Sequence, residues 1–345
     1  MRVLVASSNR GTNGAVVYAA RIIPLLRAAG HDVWLAAEPQ SWIARKTEGA
    51  APLVPTDFRR FPLDEVDRIA AFCRRERIDV VHSHLTRSSN FAAVLRQFHG
   101  VRSVAHLHAN QPRVHTAFHD RLVAVSADVA RRHRRFPWNW GRTIDVLTNF
   151  VDTACFRPAA PEAPDLLRAA LGVGSATPVI AVIGLISRRK GQDLGVRAYA
   201  ALRRLRPDAV LAVIGDGELP AGLPMEGVRR LGFRDDVPAL LPHASAVVVP
   251  SREEPFGLAA VEAMACGVPV VAFDVGGLGE VIADGAGVAI APGDVDAMGE
   301  ALAGLLADPA RRHAQAEAGR LAVMARYAPE PHVAGLGRIF AQALD

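Results

Sequence analysis

Residues 246–273 read AVVVPSREEPFGLAAVEAMACGVPVVAF, a predicted strand, helix and second strand in close succession. The apolar run 246–249 predicts the first strand, and the turn at 255–257 makes a tight entry to the helix. Gly267 and Pro269 end that helix sharply before the next apolar run. This order of elements predicts a parallel βαβ unit.

Two carboxylates, Glu254 and Glu262, lie eight residues apart in this stretch. Side chains about two helical turns apart can lie along one face and reach two parts of a single ligand. The helix start between them presents N–H groups that favour an anion. The pattern predicts a ligand with hydroxyls at the carboxylates and phosphate at the amides. The competing interpretation is that Glu262 simply faces solvent on the helix 258–266.

The length of 345 residues exceeds what a single hydrophobic core usually supports, so we expect two domains. An apolar content of 50% with 22% charged residues indicates a globular protein. No apolar run approaches the ~18 residues that span a bilayer, and the opening run is shorter than a signal-peptide core. Three scattered cysteines suit a reducing compartment, and we expect a cytoplasmic protein.

Alternating apolar runs and helical patterns extend along the whole chain and predict two doubly wound parallel sheets. A proline- and alanine-rich stretch at 156–178 separates them. We therefore predict a domain at 1–155, a second at 156–325, and a final helix at 326–345 that packs back on the first domain. The predicted strands are 3–6, 33–37, 79–82, 103–107, 122–125, 144–147, 179–183, 209–214, 246–249 and 268–273.

The net charge of +5 hides an asymmetry between the halves of the chain. Residues 1–155 hold 22 basic and 13 acidic side chains, a net charge of +9, whereas residues 156–345 hold 18 and 22, a net charge of −4. The first half should attract anionic surfaces or acceptors. Membrane headgroups, anionic glycans and nucleic acid all fit, and charge alone does not choose among them.

The stretch 250–272 resembles the signature of the retaining, GT-B-fold glycosyltransferases of family 4. The resemblance covers nearly the whole chain and is strongest from about 180 to 300. It implies an α/β chain with the GT-B fold, two doubly wound Rossmann-like domains facing across a cleft. It also implies a nucleotide-sugar substrate, UDP- or GDP-linked, and neither a cofactor nor a metal ion. Further matching elements, in the same order, are 183–191, 213–217, 231–237 and 276–281.

The resemblance assigns binding roles to the two glutamates. Glu262 would bind the ribose of the sugar nucleotide, and Glu254 a hydroxyl of the donor sugar, because an ionised acceptor forms strong hydrogen bonds with hydroxyls. Neither needs to be a general base. Base recognition would involve the backbone near Arg234. Amides that would hold sugar hydroxyls or diphosphate belong to Phe256, Gly257 and Leu258.

Lys190 is one of only two lysines in the chain and follows the predicted strand 179–183. A solvated basic loop is the simpler explanation, but a strand's carboxyl end favours a phosphate role. The resemblance makes Lys190 the group that neutralises the departing diphosphate. Family members commonly carry an arginine where this chain has Leu185, so Arg188 or Arg189 would supply that cation.

The glycine-bearing loop 7–14 lacks the spacing of a dinucleotide-binding fingerprint. A tight turn alone would explain its glycines. The resemblance places Asn13 and Gly14 in a loop that approaches the diphosphate.

Eight of the twelve histidines fall between residues 82 and 133. Alternation places His82 with His84, and His106 with His108, on one face of their strands. We predict no metal site, because neither carboxylate nor cysteine completes a ligand set nearby. The resemblance aligns His108 with a histidine that contacts the donor sugar, with His106 as the alternative if the register differs. It places His84 on the acceptor side, and we add Arg87.

The segment 131–142 interleaves arginines with aromatic residues. It can be an ordinary helix end running into a turn. It can also contact an anionic membrane peripherally, as basic residues beside tryptophan suit that interface. We do not expect nucleic-acid binding, since no recognition motif accompanies the charge.

The resemblance implies a retaining, metal-independent glycosyltransferase, and the charge asymmetry favours an acceptor that is a glycan or lipid-linked hydroxyl in cell-envelope synthesis, at the inner face of the membrane. Catalytic candidates are Lys190, Glu254 and His108. A sugar-nucleotide epimerase or hydrolase, and a non-catalytic sugar-nucleotide-binding protein, remain the alternatives.

Overall fold

The computed structural model describes residues 1–58 and 63–345, with only the backbone of Leu63. The chain divides into two compact units. The first unit comprises residues 1–149 and 329–345, and the second comprises residues 150–328. The predicted domain limits, at 155/156 and 325/326, lie within a few residues of the limits of these units.

Each unit contains one parallel sheet, as the alternating pattern predicts. In the first, the strands lie in the order β3-β2-β1-β4-β5-β6-β7, and in the second in the order β10-β9-β8-β11-β12-β13. The strands are β1 (Arg2–Ser7), β2 (Asp32–Ala37), β3 (Leu53–Pro55), β4 (Val80–His84), β5 (Ser103–Leu107), β6 (Arg121–Ala124), β7 (Ile144–Val146), β8 (Val179–Ile183), β9 (Val210–Ile214), β10 (Val228–Gly232), β11 (Ala246–Val249), β12 (Val270–Phe273) and β13 (Val288–Ile290).

Helices connect successive strands on the sheet faces. None of them, within the described ranges, has both the length and the apolar character needed to cross a bilayer. The helices are α1 (Gly14–Ala28), α2 (Trp42–Lys46), α3 (Leu63–Arg75), α4 (Thr86–His99), α5 (Ala127–Arg134), α6 (Leu166–Leu171), α7 (Gln192–Leu205), α8 (Val237–Leu240), α9 (Leu258–Ala265), α10 (Gly276–Ile282), α11 (Val295–Ala307), α12 (Pro309–Arg326) and α13 (Pro329–Leu344).

Every predicted strand is present within a residue or two of its expected limits. Three strands were missed: β3, β10 and β13, each at the edge of its sheet. Central parallel strands are covered on both faces and therefore consist of continuous apolar runs, from which they can be predicted. The edge strand β10 carries exposed Arg229 and Arg230 and has no such run.

The strand order reverses at one point in each sheet, and this point locates the crevices where ligands bind in doubly wound folds. In the first sheet the reversal lies between β1 and β4, and in the second between β8 and β11. The loops that follow these four strands therefore border the crevices. They carry most of the residues singled out in the sequence.

The buried side chain of His119 predicts an acid-sensitive first unit. Its Nδ1 lies 3.0 Å from Ser103 Oγ, and desolvation, with smaller effects of His115 and Arg142, lowers its pKa from 6.5 to about 3. The unfolded chain therefore takes up the proton first. The contribution of neutral His119 to the free energy of unfolding is fully present above pH 6.5 and is lost as the pH falls towards 3. Between pH 7 and pH 5 the loss is about 2 kcal/mol.

We expect His119→Gln to reduce the drop in melting temperature between pH 7 and pH 5, measured by circular dichroism. The matched control is His313→Gln, at an exposed position on α12, which should leave the drop unchanged. An undiminished drop in the His119 variant would contradict the linkage.

Candidate active site

The loop that follows β8 carries Lys190 and rests on the loop after β9. The amide of Gly184 donates to Ile214 O at 2.9 Å, and that of Ile186 donates to Asp216 O at 2.7 Å. Gly215 makes this approach possible, since a Cβ there would lie 2.1 Å from Gly184 O. The backbone on this side of the crevice is thus held in one position.

The loop after β8 also contacts the loop after β11 closely. Gly191, the N-cap of α7, has φ +69°, and a Cβ on it would lie 2.0 Å from Pro250 O. The amide of Arg252 donates to Arg189 O at 2.9 Å. The Arg252 guanidinium donates to both oxygens of Asp193 at 2.8 and 2.6 Å, which holds the pKa of that carboxyl below its usual value. The two loops are therefore held together at several points.

Lys190 and Glu254 form an ion pair between these loops, with Nζ and Oε2 2.5 Å apart. Ser251 Oγ lies 3.4 Å from the same carboxylate oxygen, and Arg189 Nη1 lies 3.9 Å from Oε1. The Glu254 side chain is only 8% exposed. Removing either partner of such a buried pair leaves an uncompensated charge. The structure thus brings two of the three predicted catalytic residues together.

The start of α9 follows the ion pair directly. Gly257 is the N-cap with φ +112°, and α9 begins at Leu258 as predicted. Phe256 is buried against Tyr327, with ring centroids 5.5 Å apart. The carbonyl of Glu254 accepts from Gly277 N at 2.9 Å, which ties the start of α10 to the same loop. The first N–H groups of α9 have no intrahelical acceptor and favour an anion.

The two glutamates do not share a helical face, so that interpretation of their spacing was wrong. Glu254 lies in the loop four residues before Leu258, and only Glu262 lies on α9, where it is half-buried. Helical periodicity cannot apply across a turn with left-handed backbone. The turn itself, not the period of a helix, sets their separation.

The structure separates the arginine candidates. Arg188 and Arg189 are both exposed, and the guanidinium of Arg189 is the one that approaches Glu254. Arg234 donates from Nε to Asp236 Oδ1 at 2.7 Å and forms a second bond through Nη2. Leu185, where family members commonly have arginine, is 60% exposed.

In the first unit, a cavity of about 240 Å³ is lined by segments that follow β1, β2, β3 and β4. Arg87, predicted for the acceptor side, is one of its lining residues. Asn13 caps α1 by accepting from Val16 N at 3.0 Å, and Gly14 is the first residue of that helix. The other lining residues are Ser8, Asn9, Arg10, Glu38, Asp57 and Phe58.

The two histidine pairs adjoin, because β4 and β5 are neighbours with His84 opposite His106. His82 Nε2 lies 3.2 Å from His106 Nδ1, and His84 Nδ1 lies 3.0 Å from His108 Nε2. Desolvation lowers the pKa of His82, His84 and His106 well below its usual value, and that of His108 to about 3.

Two further members of this cluster were missed in the sequence. His332 on α13 donates from Nδ1 to Thr148 O at 2.8 Å, and its Nε2 accepts from Tyr18 Oη at 2.6 Å. The Tyr18 ring packs on His106, with centroids 4.6 Å apart. The sequence shows the alternation of histidines within each strand. It does not show which helices cover these strands, so Tyr18 and His332 could not be predicted. The role of His108 at a donor sugar stays a prediction.

Arginines of the basic segment 131–142 have internal partners. Arg131 and Arg132 pair with Asp128 on α5, and Arg134 donates to Ile144 O at 2.7 Å. Trp140 is 70% exposed. The contacts support the interpretation as a helix end and turn.

Comparison with protein families gives two matches in chain order. Residues 12–154 match Glycosyltransferase Family 4, and residues 165–322 match Glycosyl transferases group 1. The Anabaena protein Alr3699/HepE, solved with UDP-glucose, superimposes with a TM-score of 0.85 over 99% of both chains at 20% identity. The predicted GT-B architecture of two parallel-sheet domains is confirmed.

Curated relatives carry glycosyltransferase names. The D-inositol 3-phosphate glycosyltransferase of Segniliparus rotundus is 36% identical over 65% of this chain and 53% of the relative. A GDP-mannose-dependent phosphatidylinositol monomannoside mannosyltransferase of Corynebacterium glutamicum is 35% identical over 57% and 56%. The chain thus spans just over half the length of these relatives. With both family models matched across its length, the chain belongs to the group 1, family 4 glycosyltransferases.

Proposed function

We propose that the chain transfers a sugar from a nucleotide diphosphate to a hydroxyl acceptor, with retention of anomeric configuration. The observation that carries this proposal is the Lys190–Glu254 pair at the reversal point of the second sheet, beside the start of α9. It lies within the part matched by the group 1 model. The relatives named for GDP-mannose and the neighbour solved with UDP-glucose support a nucleotide-sugar donor.

In the proposed reaction the bond between the sugar C1 and the diphosphate oxygen breaks, and the electron pair leaves with the diphosphate. The acceptor oxygen bonds to C1 on the same face, and its proton passes to the departing diphosphate oxygen. Lys190 Nζ and the N–H groups at the start of α9 stabilise the developing phosphate charge. These groups act where a divalent ion would otherwise be needed.

Each remaining side chain of the donor site has a binding role in this proposal. Glu254 holds Lys190 and accepts from a hydroxyl of the donor sugar, and Arg189 is the cation that replaces the one absent at Leu185. Glu262 binds the ribose. The backbone near Arg234 reads the base, while the guanidinium of Arg234 is paired with Asp236.

The acceptor is the less defined half of the proposal. The net charge of +9 on residues 1–155 favours an anionic or lipid-linked acceptor, met at the inner membrane face during envelope synthesis. The cavity lined by Arg10 and Arg87 is the candidate acceptor pocket.

The test is a donor panel of UDP-, GDP- and ADP-sugars, screened by thermal shift and then assayed for transfer. Saturating ligand at 100 times its dissociation constant adds about 2.7 kcal/mol to stability. Product analysis by NMR reports the anomeric configuration, and added Mg²⁺ or Mn²⁺ should not raise turnover. Consumption of donor without acceptor would indicate a hydrolase or epimerase. Nucleotide binding without turnover on any acceptor would indicate a binding protein.

Glu262→Ala should weaken donor binding more than it lowers turnover at saturating donor. A hydrogen bond to a charged group contributes about 1.5–3 kcal/mol, so the dissociation constant should rise about 10- to 100-fold. Titration calorimetry with the nucleotide sugar measures this change. Glu300→Ala, an exposed carboxylate on α11, is the control. Unchanged affinity in the Glu262 variant would remove the ribose assignment.

A further inference from the structure

The histidine cluster of the first unit, formed by His82, His84, His106, His108 and His332, contains a compact group of three. One ring nitrogen from each of His82, His84 and His106 lies within 4.8 Å of the other two. All three residues are at most 2% exposed. Imidazoles from two adjacent strands therefore converge on one small buried volume.

Each of these three rings keeps one nitrogen without a hydrogen-bond partner among the described residues. They are Nδ1 of His82, Nε2 of His84 and Nε2 of His106. A buried polar atom without a partner is unfavourable and uncommon in folded proteins. The hydrogen bonds within the cluster therefore satisfy only one nitrogen of each of these three rings.

The spacing and charge state of the rings suit a metal ion. His82 Nε2 and His106 Nδ1 lie 3.2 Å apart, close to the separation of about 3.3 Å between two nitrogens bound to a tetrahedral zinc ion. These two nitrogens face each other in a hydrogen bond, which the ion would replace, and the unpartnered nitrogens of both rings would keep their protons. Burial lowers the pKa of all three imidazoles, which favours the neutral form that a metal ion binds. His84 also contacts a second imidazole, that of His108 at 3.0 Å, as metal-bound histidines contact an outer partner.

The sequence predicts no metal site here for want of a carboxylate or cysteine, but three converging imidazoles can form a ligand set without either. We therefore propose that His82, His84 and His106 bind a divalent transition-metal ion of the zinc type within the first unit. Imidazole nitrogen suits zinc, whereas magnesium and calcium prefer oxygen ligands, which this group does not supply. The ion would join β4 to β5 beneath α1, whose Tyr18 packs on His106. The site uses neither Lys190 nor Glu254 and does not depend on the proposed transfer reaction.

The direct test is a zinc titration of the full chain after treatment with a chelator. We expect one zinc ion per chain by metal analysis, a rise in melting temperature with zinc, and no such rise with magnesium. His106→Gln and His82→Asn should each weaken zinc binding at least about 10- to 100-fold, the range that even outer partners of a metal ligand contribute. His313→Gln, on the exposed surface of α12, should bind zinc like the parent chain.

A measurement on the parent chain avoids dependence on variants that fail to fold. Cobalt(II) in the site should give the intense visible absorption of a tetrahedral nitrogen-bound ion, which zinc should then displace. Less than one ion per chain, or zinc affinity unchanged in both cluster variants, would overturn the proposal. Cobalt absorption typical of six-coordinate aqueous ions would do the same, and the cluster would then be a set of hydrogen-bonded neutral histidines.

Discussion

Replacing Lys190 with alanine should lower turnover by about 100- to 1,000-fold, the usual effect of removing one group that stabilises developing charge. The Nζ lies 2.5 Å from Glu254 Oε2 and places a positive charge at the reversal point of the second sheet. Without it the leaving diphosphate meets a buried carboxylate instead of an ammonium. Initial rates of transfer at saturating donor, measured by nucleotide release, report the change.

The second lysine of the chain supplies the matched control for this prediction. Lys46 is exposed at the end of α2, and Lys46→Ala should leave the rate unchanged. Normal kinetics in the Lys190 variant would remove the assignment of the donor site.

Loss of fold and loss of chemistry can be separated with a double variant. Lys190→Met combined with Glu254→Gln removes both charges, so neither is left buried alone. It should therefore melt at a higher temperature than Lys190→Ala while remaining inactive. Recovery of turnover in the double variant would show that the pair serves stability alone.

Gly191→Ala should both destabilise the second unit and weaken donor binding. A Cβ at this position would lie 2.0 Å from Pro250 O, and φ is +69°. Left-handed backbone alone costs about 1–2 kcal/mol in an alanine. The clash adds to this cost, because the loop after β8 must move away from the loop after β11. That movement would separate Lys190 from Glu254.

Gly222→Ala isolates the contribution of the clash. Gly222 has φ +79°, and a Cβ at this position would have no atom within 4 Å, so its variant bears the backbone cost without the collision. Thermal unfolding and calorimetry with nucleotide should therefore show a larger loss in Gly191→Ala. Equal losses of melting temperature in the two variants would contradict the close approach to Pro250.

The sequence predicts the βαβ unit at the site closely, for a clear physical reason. Apolar runs mark β11 and β12, and glycine and proline mark both ends of α9, which begins at Leu258 as expected. Local patterns of this kind depend only on neighbours in the chain. The edge strands β3 and β13, each three residues long, are too short to produce such a pattern.

Contacts across the sheets were beyond prediction because they depend on topology. Lys190 and Glu254 are 64 residues apart and meet only because β8 and β11 are neighbours. The resemblance named both residues but gave them separate roles, at the diphosphate and at the donor sugar. Their ion pair shows that the two side chains are in direct contact. Similarly, alternation placed His82 beside His84, but the register of β4 with β5 decides that His106 faces them.

The borders of both sheets have a consequence for how the protein behaves at high concentration. Exposed strand edges can recruit strands of other molecules, and short or charged edges suppress this. β3 and β13 have three residues each, β7 is equally short, and β10 presents Arg229 and Arg230 to solvent. Neither sheet, in the part of the chain that the structure describes, offers a long apolar edge on which aggregates could grow.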